Sequence, residues 1–241
     1  MGLDPLQPNM EIRGERECSA CGNRWSYYDT GRITCPACGS VRSVGVDEPS
    51  EHTAGTATFD LTSVRADVDE APLADLADRA AEEARAHVRN AGFVHAGELQ
   101  PLDDTFLAAT ELRRVGTTLG RVMHRGEAEE LYFLELLGGA DRGERPDPDA
   151  VPEPLYPERG LAVAASVDVY LSDLRRAYGD RDSAVNSVLS TARAHRKRIE
   201  ALDGDVDPAA AERLVRTVRD LSAFLREDDE PALARARERL A

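Results

Sequence analysis

All four cysteines of the 241-residue chain fall within 21 residues, as Cys18-Ser-Ala-Cys21 and Cys35-Pro-Ala-Cys38. The resulting C-x2-C-x13-C-x2-C spacing is that of four thiolates closing a tetrahedron around one ion. Two thiolates two residues apart reach the same ion only across a tight backbone turn. A glycine directly after each pair, Gly22 and Gly39, lets backbone amides approach the second sulfur. Between the pairs, Trp25, Tyr27 and Tyr28 suit a strand and Asp29-Thr-Gly31 suits a hairpin turn. The expected N-terminal unit is therefore a small β zinc ribbon over residues 1–46, with Cys18, Cys21, Cys35 and Cys38 as metal ligands. One Zn2+ with four protein ligands is structural, because no coordination position stays open for chemistry.

Other uses of four cysteines compete with this one. Two disulfides need an oxidising compartment, and Met1-Gly-Leu-Asp-Pro-Leu-Gln-Pro8 has neither the basic start nor the apolar run of an export signal. A cytoplasmic location is expected. A redox C-x-x-C needs a strand and a helix around it, and two such pairs so close together point to a shared metal. Iron takes the same four thiolates, so spacing leaves it open; zinc is read because no redox partner domain is visible.

Cys18-x-x-Cys21-Gly22, Trp25 and Cys35-Pro36-x-Cys38-Gly39 together resemble the zinc ribbon of archaeal transcription factor IIB. The resemblance covers roughly residues 12–46 and implies bound zinc and a place in transcription. The remainder of the chain shows no sign of the two cyclin-like repeats of that factor. As a whole the chain resembles ribbon-plus-helices proteins of haloarchaea, a likeness that implies no particular reaction.

Composition points to the same setting. The net charge is −15, and Lys197 is the sole lysine, so every other cation is an arginine. Such an acidic surface resembles those of salt-loving archaea, where concentrated salt screens self-repulsion. Salt also removes most of the electrostatic affinity of a nucleic-acid binder. Within residues 11–46, five arginines against four carboxylates leave +1, and four thiolates around a dication bring the ribbon to about −1. Direct nucleic-acid binding by the ribbon is unsupported, and a protein partner is expected.

Residues 47–71 read as a polar linker broken by Pro49 and Gly55, with His52 as a solvated loop residue and Thr56–Leu61 as one short strand. From Pro72 the apolar period becomes helical. The first half of the helical region, residues 72–140, holds a helix carrying Leu76, Ala80 and Ala84. A second, Asp103–Arg125, carries Phe106, Leu112, Val115, Leu119, Val122 and Met123; its Gly116 and Gly120 either permit close helix approach or are tolerated. A third, Glu127–Leu137, is apolar nearly all round. Residues 141–158 contain five prolines and form an extended connection or a strap, the strap being favoured by Val151, Leu155 and Tyr156. Residues 159–241 supply three or four more helices, with Asp182 and Asp207-Pro208 as start signals. The expected fold is a zinc ribbon followed by a mainly α domain, an antiparallel helical bundle.

The helical part shows no H-E-x-x-H, phosphate loop or G-x-S-x-G. His87, His95, His124 and His195, with Glu98, Glu111, Glu129 and Glu130, are the polar residues to test, and each histidine reads as solvated or locally bonded. The chain is expected not to be an enzyme. One basic cluster, His195-Arg196-Lys197-Arg198, is read in two ways. Either its cations complement a helix C-terminus and pair with nearby acids, or Arg196, Lys197 and Arg198 dock an acidic partner or an RNA backbone. The overall expectation is a zinc-binding, non-enzymatic adaptor or regulator acting through protein contacts in transcription or related information processing. The alternative is a ligand-binding or enzymatic helical domain with a purely structural ribbon. No membrane association is expected.

Overall fold

The computed structural model describes residues 11–122, 126–179 and 182–240. Small antiparallel sheets come first, then a helical body. Strand β1 (Glu11–Ile12) is followed by β2 (Glu15–Cys18), which lies at the centre of a three-stranded sheet. Its neighbours are β3 (Arg24–Ser26), with Arg16 opposite Trp25, and β4 (Ser43–Gly45), with Glu17 opposite Val44. Tyr27–Thr30 do not extend β3 into a hairpin but turn into a short helix, α1. Ser26 caps it by accepting from the Asp29 amide, and Gly31 ends it in the left-handed region. Local capping thus outweighs the strand preference of the two tyrosines.

The expected linker is tied down along its first part. Ser50–Glu51 form β5 and pair with β1, so the strand lies six residues before the one expected at Thr56–Leu61, which is irregular. Thr53 is held on both sides: its amide donates to the Val94 carbonyl and its hydroxyl to Asp173 (2.7 Å). His52 is buried rather than solvated, because the tight hairpin β6 (Val94–His95) to β7 (Glu98–Leu99) folds over it.

The helices are α2 (Thr62–Arg65), α3 (Leu73–Asn90), α4 (Asp104–Arg121), α5 (Glu127–Gly139), α6 (Tyr156–Ala177), α7 (Ser183–Ala201), α8 (Pro208–Glu227) and α9 (Glu230–Leu240). Asp103, Asp182 and Asp207 each accept an amide at the start of α4, α7 and α8, as their sequence positions require. Helix α6 begins three residues before Arg159, its turn opened by Pro157. Val122 is exposed just past α4, and Met123 and His124 lie outside the described residues. No helix among those described is long and apolar enough to cross a membrane.

Two apolar cores share α4. Ala108, Leu112, Val115 and Leu119 face α3, α5 and the strap, where Val151 and Leu155 are buried. Phe106 and Leu107 face the second core, built from α6, α7, α8 and α9 around Val167, Tyr170, Leu189 and Val218. The Pro-rich segment is therefore packed, with two short 3-10 turns at Pro148–Ala150 and Glu153–Leu155. Gly116 and Gly120 let α3 approach: a Cβ on Gly116 would stand 2.6 Å from the Ala77 carbonyl oxygen.

Candidate metal centre

The two cysteine pairs close identical backbone turns. The Gly22 amide donates to the Cys18 carbonyl and the Gly39 amide to the Cys35 carbonyl, both at 2.9 Å. The Cys18 and Cys35 amides in turn donate to the carbonyls five residues on, at Asn23 and Ser40. Each turn places a glycine at positive φ, +74° for Gly22 and +71° for Gly39. No atom crowds either position, so glycine is there for its dihedral freedom.

These turns bring the four Sγ atoms within 4.8 Å of one another. Across the cluster, Cys18 Sγ stands 3.6 Å from Cys38 Sγ, and Cys21 Sγ 3.7 Å from Cys35 Sγ. A regular tetrahedron with metal–sulfur bonds of about 2.3 Å has edges of about 3.8 Å, so the set fits one ion. The same distances are far beyond the roughly 2.05 Å of a disulfide bond, and all four cysteines are free.

Charge explains why a cation belongs there. The Ala20 amide, with smaller help from the Cys21 amide and neighbouring thiols, brings the Cys18 thiol down to about 6 against the effect of burial. Cys35 is also lowered: burial opposes ionisation, but the Cys38 and Ala37 amides outweigh it. At Cys21 the Asn23 amide favours the thiolate, yet the Cys38 thiol, burial and the other cysteines push it up to about 12. Amides stabilise the first negative charges and mutual repulsion resists the last; a bound dication removes that resistance.

Trp25 is the lid of the centre. It packs with Cys18 and Cys35 as a small buried cluster, and its indole N–H donates to the Arg32 carbonyl (2.8 Å). The turn of α1 aims Tyr28 the other way, where its hydroxyl donates to the Ile12 carbonyl (3.1 Å) and bonds Ser50 Oγ (2.6 Å). Its ring meets His52 at 4.8 Å and His95 at 5.7 Å. His52 stands apart from the cysteine cluster. It accepts from the Ala96 amide through Nδ1 and joins the ribbon to the helical body.

The other residues singled out from sequence are scattered. His87 stacks on Phe59, His195 is exposed on α7, Glu98 is exposed in β7, and Glu129 caps α5 through the Gly126 amide. Glu130 lies in the first turn of α5. Glu111 alone sits in a charged network, with Arg159 (2.7 Å), Arg145 (3.6 Å) and the Tyr132 hydroxyl, while Glu212 pairs with Arg145 (3.2 Å) and Arg159 (3.5 Å). Four elements and the strap build this network from single residues, so no local motif announces it. In the basic cluster, Arg196 pairs with Asp168 (3.1 Å) and Glu200 (2.8 Å), Lys197 points to solvent, and Arg198 lines a cavity with His195.

The sequence matches one family over residues 10–240, nearly its whole length. The chain belongs to DUF7117. That is a family of unknown function, so membership itself names neither reaction nor partner. Neither the curated proteins nor the solved structures gave a match.

Proposed function

We propose that this DUF7117 protein is a zinc-binding, non-enzymatic adaptor whose ribbon docks on a protein of the transcription machinery or of a related information-processing assembly. The likeness of its cysteine knuckles and Trp25 to the ribbon of archaeal transcription factor IIB supports the choice of zinc and of that setting. The single lysine and the acid excess support a salt-rich cytoplasm.

An exposed apolar edge on the ribbon carries the reading. Eight large hydrophobic side chains are exposed among the described residues, and four of them, Ile33, Val41, Val44 and Val46, belong to the ribbon. They lie on or beside β4, an edge strand of its sheet, and the Ser43 hydroxyl donating to the Ile33 carbonyl (2.7 Å) holds that residue against the strand. Val41 is 71% exposed. An edge strand flanked by exposed β-branched side chains suits a partner that covers an apolar ridge. The ribbon's near-neutral charge removes the electrostatic term that nucleic-acid binding needs.

Recovery from a high-salt lysate with the tagged full chain tests this. The expected result is enrichment of polymerase or other transcription subunits, lost in the V41D/V44D variant with zinc content intact. Equal recovery by variant and wild type would sink it.

A further inference from the structure

We propose that the cavity enclosed by α7, the α7–α8 turn, α8 and α9 binds a small organic anion: a carboxylate or phosphate headgroup on an apolar body. This site lies in the helical half and stands independently of the adaptor reading.

The cavity has a volume of about 420 Å³, within the range of roughly 300–1,000 Å³ over which proteins hold small molecules. Its floor is apolar. Ile199 and Leu214 are buried beneath it, Val206 is half-buried, and Leu202 is 46% exposed at its wall. Helical periodicity places Leu202 on the buried stripe of α7, but it stands at the C-cap, where the turn swings it away from the core. An uncovered leucine facing a concavity is apolar surface awaiting a ligand.

Arginines outnumber acids on the rim, three against two, in a chain with 45 acids and 30 lysines and arginines. His195, Arg198, Arg213 and Arg239 all line the space. Arg239 is committed to Asp220 and to the Arg216 carbonyl. Arg196, two residues before Arg198 on α7, is likewise paired with two carboxylates. Arg198 and Arg213 are exposed and form no ion pair among the described residues. Two arginines on one cavity without carboxylate partners leave their guanidinium forks available to a carboxylate or phosphate. Two acids also stand on the rim: Asp205, and Asp207, which caps α8 by accepting from the Ala209 amide (2.8 Å).

The geometry explains the division of the basic cluster as well. Arg196 is structural, Lys197 faces solvent, and Arg198 faces the cavity with Arg213 of the next helix. A partly apolar concavity of this size fits a small amphiphilic anion better than a polyanionic strand.

Calorimetric titration of the zinc-loaded full chain with octanoate, octyl phosphate, octanol and hexaglutamate tests the site. Saturable one-to-one binding of octanoate or octyl phosphate is expected, with the tighter of the two naming the headgroup, and octanol should not bind. R198A/R213A should weaken binding by at least about tenfold, the scale of losing charge-assisted hydrogen bonds. A210F, which fills the cavity and keeps both arginines, should abolish it. No saturable binding by either amphiphile, binding unchanged in both variants, or binding of hexaglutamate alone would each overturn the proposal.

Discussion

Arg159 Nη1 donates to Glu111 Oε2 across 2.7 Å, and both side chains are sealed from solvent, at 2% and 0% exposure. Such a pair joins α6 to α4 at the boundary of the two cores, and Arg145 brings the proline strap to the same carboxylate. Burial by itself would lower the Arg159 pKa, but Glu111, Tyr132 and Glu212 more than offset it. Removing one partner strands a buried charge. Glu111→Ala should cost about 3–5 kcal/mol, read as a lowered denaturation midpoint. The double variant E111L/R159M should lose less than either single one, because Arg145 and Glu212 still neutralise each other; an additive loss would show that the pair is not coupled.

Metal content is the next test. One zinc per chain is expected by elemental analysis, and Cys35→Ser should remove it. Trp25 is the only tryptophan and is 8% exposed against Cys18 and Cys35. Its emission should shift to the red on chelation while far-UV helical signal persists, since the helical cores contain none of the ligands. Iron in place of zinc would show as a coloured protein with the same fold.

A buried histidine, His52, and a half-buried one, His87, set an acid limit. Burial, then His95, lowers the pKa of His52, and burial lowers that of His87. The unfolded chain therefore binds protons that the folded chain refuses. Stability is full above about pH 6.5, the ordinary histidine value, and falls as pH drops below it. Imidazole resonances of both residues should titrate below about 6.5 by NMR. His52→Gln should flatten the pH dependence of the midpoint; an unchanged slope would rule His52 out as its source.

Gly116→Ala sets two magnitudes against each other. Helix propensity favours alanine by about 1 kcal/mol, whereas a Cβ there would lie 2.6 Å from a backbone oxygen of Ala77. Backbone cannot yield as a flexible side chain can, and overpacking costs about 1–3 kcal/mol. Net destabilisation is expected in thermal melts. A stabilised variant would mean that α3 and α4 are not held at this distance.

Local chemistry was readable from the chain alone. The cysteine spacing with Gly22 and Gly39, the caps at Asp182 and Asp207, and the stripe of α3 each depend on neighbours a few residues away, and each stands where the sequence places it. Tyr27 and Tyr28 misled because their strand preference is weaker than the Ser26 cap at the end of β3. Every contact across long separations needed the fold. His52 is buried only because a hairpin more than forty residues later closes over it, and Glu111, Arg145, Arg159 and Glu212 meet only when α4, the strap, α6 and α8 converge. Periodicity tells which face of a helix turns inward, but which charge it meets there is decided by the packing of whole elements.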